Sequence, residues 1–92
     1  MVAIRRLVWD PRNVAHIAQH GVTREQVEEA CAGRHIDRLA YGGRIMLIGA
    51  TVGGAVIAMV LEPLGDDLYY PVTARPASRR ERQAYQNETE SE

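Results

Sequence analysis

The sequence predicts an α+β domain: an antiparallel sheet of four to five strands, with two helices near the N-terminus and one at the C-terminus. Three observations carry this. Apolar residues recur at helical spacing between Pro11 and Gly33, the period changes to two from Ile36 onward, and a basic helical segment opened by Pro76-Ala77-Ser78 follows the last strand. The expected order is β-α-α-β-β-β-β-α.

Ile4 to Trp9 reads as a short apolar strand ending at Asp10-Pro11, where Asp10 can cap free amides and Pro11 suits the first helical position. The helix carries Val14, Ile17 and Ala18 on one stripe, runs about ten residues and stops at Gly21, which can take the left-handed conformation. Thr23-Arg24-Glu25-Gln26 matches a capping box, and Val27, Ala30 and Cys31 form the buried stripe of a second helix ending at Gly33. Val22 is placed to pack between the two helices.

Four strands are then expected at Ile36 to Ala40, Arg44 to Val52, Ala55 to Leu61 and Leu68 to Ala74. Gly42-Gly43 and Gly53-Gly54 predict two-residue hairpin connections, and Pro63, Gly65 and Asp66 a third turn. In the last strand Leu68, Tyr70, Val72 and Ala74 alternate with Tyr69, Pro71, Thr73 and Arg75. The second set suits an open, partly wet face. Ser78 to Gln86 makes the last helix, and the polar end of the chain has too little apolar content to fold alone.

Ninety-two residues support one core, so we read a single domain over residues 1–87 with an acidic tail over 88–92. The net charge of -1 conceals an asymmetry, since Glu88, Glu90 and Glu92 lie in the last five residues. Eleven cations against the nine remaining acids leave +2 for residues 1–87, and all eleven are arginine. Arg75, Arg79, Arg80 and Arg82 fall within eight residues, a cluster that points to a phosphate-bearing partner. A lone Cys31 cannot form an internal disulfide and reads as a buried, inert thiol, so a reducing, cytoplasmic location is expected. No signal-peptide core and no membrane-length apolar run is present.

Trp9-Asp10, Asn13, the His20-Gly21-Val22 triplet, the glycine-punctuated strands and Val72-Thr73-Ala74-Arg75 with Ala77, Glu81 and Tyr85 together carry a resemblance. Over residues 6–85 the chain resembles the BrnT family of bacterial type II toxins, which share the RelE-like ribonuclease fold. Arg12 stands where many members carry lysine, and Pro76 where a basic residue is commoner. The resemblance implies metal-independent, cofactor-free cleavage of single-stranded messenger RNA and inhibition of translation. It also implies a cognate antitoxin, a BrnA-like ribbon-helix-helix DNA binder.

Such cleavage proceeds by attack of the ribose 2′-hydroxyl on the adjacent phosphate, so the site must move two protons and stabilise a phosphorane. Arginine suits the last task, which makes Arg75 and Arg44 the first candidates. Each has a bland alternative: Arg75 can pair with Glu81 or Glu62 and tie helix to sheet, and Arg44 can be a solvated edge residue. His20 is a candidate acid or base, or else complements the last turn of its helix. His16 and His20 have the i, i+4 spacing of metal ligands but lack a third partner, so no metal site is expected. Glu81 and Tyr85 share a helix face and can hold Arg75 or pass a proton, or serve as counter-ion and packed ring. Arg79, Arg80, Arg82 and Arg12 are candidate contacts to an RNA backbone, or simply solvated charges. Trp9 is most simply a packing aromatic. Two other readings stand beside the nuclease: a non-catalytic protein- or RNA-binding module on the same scaffold, and a homodimer formed through the apolar hairpin at Ile45 to Leu61.

Overall fold

Asp10 and Thr23 start the first two helices by the same chemistry. The Asp10 carboxylate accepts from the Asn13 amide at 2.9 Å while the Asn13 side chain accepts from the Asp10 amide, and Thr23 and Gln26 reciprocate in the same way. The computed structural model, which describes residues 2–90, places α1 at Pro11–Ala18 and α2 at Arg24–Ala32. Between them Gly21 adopts φ +76°, and the Val22 amide reaches back to the Ile17 carbonyl, closing α1. Helix α1 is thus eight residues, shorter than its sequence pattern suggests.

The remaining elements are β1 (Arg6–Leu7), β2 (His35–Leu39), a 3-10 turn (Tyr41–Gly43), β3 (Ile45–Ala50), β4 (Val56–Gly65), β5 (Leu68–Pro76) and α3 (Arg79–Glu90). One sheet runs β1-β5-β4-β3-β2, antiparallel throughout except for β1, which lies parallel to β5. The α+β class and the element order are those expected from the sequence; the parallel edge is not. The first strand also shrinks to two residues, because the chain turns into the Asp10 cap as soon as Leu7 is buried.

Three further boundaries differ. The glycine pairs sit inside five-residue connections, Ala40 to Arg44 and Thr51 to Ala55, each closed by backbone hydrogen bonds between its end residues. Strand β4 continues through Pro63 to Gly65, because β3 has already ended opposite Leu61 and Pro63 has only β5 as a neighbour. The turn is Asp66-Asp67, both at positive φ. Helix α3 extends to Glu90, past the end expected at Gln86 and into the segment 88–92 expected as a tail, since the Tyr85 carbonyl takes the Thr89 hydroxyl and Arg38 pairs with Glu88. The end of the tail, Ser91 and Glu92, lies outside the described residues.

The sheet has two unequal faces. Against the first, Ile17, Val22, Val27 and Ala30 of the helical layer pack on Leu47, Ile57, Met59, Leu61 and Ala74. Here Gly49 permits the close approach of α2, since a Cβ at that position would stand 2.5 Å from the Ala30 carbonyl oxygen. Cys31 packs at the edge of this core, its Sγ 3.5 Å from the Met59 Sδ, and burial pushes the thiol up to about 12. On the second face α3 covers β2 and β3 around a small core of Ile36, Ile48, Ala58 and Ala77. The part of this face formed by β4 and β5 keeps Val60, Glu62, Tyr70 and Thr73 only half-buried.

Strand β5 changes parity midway. Val60 pairs with Thr73 but Leu61 pairs with Pro71, so Val72 is an extra residue and forms a β-bulge. Simple alternation puts Tyr69 and Pro71 on the open face, and the structure corrects this: both are buried, Tyr69 as part of the main core. Beyond the bulge the faces exchange, so Ala74 points inward and Arg75 outward. Asn13, 1% exposed, holds the irregularity: its Nδ2 donates to the carbonyls of Val8 and Pro71, both at 3.1 Å.

Candidate functional site

Arg75 leaves β5 four residues after Pro71, on the open face that the bulge gives it. Its guanidinium is gripped by Glu81, with Nη1 to Oε1 at 2.6 Å and Nη2 to Oε2 at 2.8 Å. The Arg75 side chain remains 45% exposed, whereas that of Glu81 is 17% exposed. Glu81 is itself fixed by a capping box at the start of α3, accepting from the Ser78 amide while its own amide donates to the Ser78 hydroxyl. The Arg75 guanidinium, with help from Ser78, pulls the Glu81 carboxyl down to about 2 and is in turn held more firmly protonated by it.

Tyr85 does not join this pair. It packs in the small core, and its hydroxyl donates to the Arg34 carbonyl at 3.1 Å, tying α3 to the start of β2. Arg82 turns back to the Ala77 carbonyl, and Arg79 and Arg80 project into solvent from the first turn of α3. The basic cluster is therefore a helix face beside Arg75 and not a single grip.

Arg44 lies elsewhere. It precedes β3 and donates from Nε to Glu62 Oε1 at 2.9 Å, with both side chains about 40% exposed. Ala58 pairs with Arg75 and Glu62 with Tyr70, so the two arginines are separated by four residues of β4, about 13 Å along a strand. Each arginine is therefore held by its own carboxylate, Arg75 by Glu81 and Arg44 by Glu62, at separate places on the sheet.

The Arg44–Glu62 pair forms one wall of a cleft of about 580 Å³ at the β5 edge, beyond the short β1. The α1 side of the cleft contributes its N-cap Asp10 with Arg12, Asn13 and His16, and β5 contributes Tyr70 and Val72. The Tyr70 hydroxyl is 3.0 Å from each oxygen of Asp10. The Asn13 amide and this hydroxyl keep the Asp10 carboxyl below its ordinary range; burial and the same contact raise the Tyr70 phenol. Arg12 makes no side-chain hydrogen bond or ion pair among the described residues.

Of the two histidines of this segment, it is His16 that lines the cleft. His20 lies one helical turn further on, exposed, with its ring edge-to-face on His16 at 5.4 Å. Among the described residues no group of three or more His, Cys, Asp or Glu side chains gathers at metal-binding distance. Trp9 is half-buried rather than fully cored, donating to Glu28 at 3.0 Å with the Arg24 guanidinium over its ring. Asp10, Glu62 and Tyr70 were missed as cleft residues; the capping signal marked Asp10, but nothing local joins it to positions 62 and 70.

Three helices on a five-stranded mixed sheet in this order define a BrnT-like α+β fold. The chain is similar to the 1.1 Å crystal structure of the Brucella abortus ribonuclease toxin BrnT, with a TM-score of 0.63 and 26% sequence identity over 80% of this chain and 97% of that one. No family model matches the sequence, and no curated protein does. No helix among the described residues is long and apolar enough to cross a membrane.

Proposed function

We propose that the chain is the toxin of a type II toxin–antitoxin system, a metal-independent endoribonuclease that cuts messenger RNA in the cytoplasm and is held in check by a cognate antitoxin. The observation that carries this reading is the half-exposed Arg75 guanidinium on an open sheet face, in a fold shared with a ribonuclease toxin. Arg75 meets the non-bridging oxygens of the scissile phosphate as the 2′-hydroxyl attacks, and its two-point bond to Glu81 fixes the fork beforehand. Arg79 and Arg80, one turn away, attract the flanking backbone. Glu81 is ionised down to about pH 2 and Tyr85 is committed to a carbonyl, so both act as holders and not as proton carriers. As the 2′-oxygen bonds to phosphorus its proton passes to solvent hydroxide, the P–O5′ bond breaks to leave a 2′,3′-cyclic phosphate, and the departing 5′-oxygen takes a proton from water, so the rate is expected to climb with pH.

The test is incubation of purified protein with single-stranded RNA in the presence of chelator. Cleavage that disappears in Arg75→Ala, with thermal stability changed by no more than about 1 kcal/mol, supports the reading, because exposed ion pairs contribute about that much. A second reading rests on one specific observation: Arg75 and Arg44 are each already neutralised by a carboxylate of the same chain. On that reading the protein is a binding module without chemistry, and RNA stays intact whatever residue occupies position 75.

A further inference from the structure

We propose that the cleft between α1 and β5 is a nucleobase subsite that prefers bases bearing an exocyclic amine to uracil. The inference rests on the RNA reading above and extends it from the scissile phosphate to the neighbouring nucleotide.

The volume of about 580 Å³ lies in the range of small-molecule sites. Its lining argues against a bare phosphate, because Arg12 and Arg44 are offset by Asp10 and Glu62 and an anion would meet two carboxylates. A flat, uncharged ligand with both donors and acceptors fits better. Glu62 uses Oε1 for Arg44, and its Oε2 makes no hydrogen bond among the described residues, leaving an acceptor beside the guanidinium on a side chain that is 39% exposed. Adenine and cytosine present an amine next to a ring-nitrogen acceptor, matching Glu62 Oε2 and an Arg44 Nη. Guanine offers an amine and a ring N–H with an adjacent carbonyl. Uracil instead flanks its one N–H with two carbonyl oxygens, which a carboxylate repels. Tyr70 supplies a ring for stacking, and its hydroxyl is clamped between both oxygens of Asp10, so the platform is fixed before the ligand arrives.

Position supports the assignment. The Glu62–Tyr70 row lies four residues along β4 from the Ala58–Arg75 row, about 13 Å. A strand whose phosphate sits on Arg75 therefore reaches the cleft with a neighbouring base and not with the same phosphate.

The test uses 2′-O-methyl tetranucleotides, which cannot be cleaved: adenylate, cytidylate, uridylate and an abasic version, titrated against wild type and Glu62→Gln. Wild type is expected to bind the adenylate and cytidylate tetramers about tenfold more tightly than the other two. Glutamine can keep the bond to Arg44 through its oxygen but offers an amide donor where Oε2 stood, so Glu62→Gln should erase that preference. Equal affinity of wild type for adenylate and abasic tetramers would overturn the proposal, as would an unchanged adenylate-to-uridylate ratio in a folded Glu62→Gln. The nuclease reading fails separately. RNA with free 2′-hydroxyls that is bound by base but left intact ends that reading and leaves the subsite standing, whereas cleavage without base preference does the reverse.

Discussion

The Arg75–Glu81 ion pair ties the stability of this protein to pH on the acid side. Glu81 titrates near 2 when folded against 4.5 for a free carboxyl, so the unfolded chain takes up the proton first as pH falls. The stability due to the Arg75–Glu81 pair is complete above pH 4.5 and drains away between 4.5 and about 2. Denaturant midpoints measured across that window should fall in wild type and fall less steeply in Arg75→Ala. His35 acts at higher pH. Its Nδ1 is buried without a hydrogen-bond partner, and burial lowers its affinity for a proton from the ordinary 6.5. Because the unfolded chain again binds that proton more readily, stability should decline as pH drops below about 6.5. His35→Gln, which cannot charge, should flatten that part of the profile; an unchanged slope would mean that His35 is not its source.

Among the elements, β5 is the one whose irregularity matters most. Asn13 holds the bulge from a distance of 58 residues, making three hydrogen bonds from a buried position. Asn13→Ala removes all three and is expected to cost about 3 kcal/mol in urea unfolding, at about 1 kcal/mol per bond. Its second effect is geometric, since β5 freed to straighten would carry Arg75 toward the other face. RNA cleavage should therefore fall even at temperatures where the variant remains folded. The contact between α2 and β3 depends on Gly49 in the same local way. Gly49→Ala forces a methyl against the Ala30 carbonyl, and a loss of about 2 kcal/mol is expected because neither backbone can move independently.

For the whole molecule, the near-zero net charge means that any attraction for a polyanion must come from a local strip and not from the overall field. Arg75, Arg79 and Arg80 are all exposed, so the RNA reading proposed above predicts contacts to about three phosphates. The logarithm of the binding constant should then fall against the logarithm of salt concentration with a slope of roughly −2. A slope near zero would favour a protein partner over RNA. The two faces of the sheet divide the labour: the large core under α1 and α2 holds the fold, and the small core under α3 positions Glu81 beside Arg75.

Much of this architecture is legible in the chain because its causes are local. Asp10-Pro11 and Thr23 to Gln26 stop and start helices through contacts three residues apart, and the period-two strands pair in the order in which they occur. The pairing of Arg75 with Glu81, six positions on, could be read in the same way. The sequence by itself thus determined the elements, their order and the basic cluster beside the last strand. Tertiary structure alone decided that β1 runs parallel, that Arg44 stands apart from Arg75, and that His16 lines the cleft in place of His20. It also decided which half of β5 faces outward, because strand alternation carries no information about an extra residue whose hydrogen-bond partner is at position 13. The cleft draws on positions 10, 12, 16, 44, 62 and 70, and only the closing of the sheet against α1 brings them together.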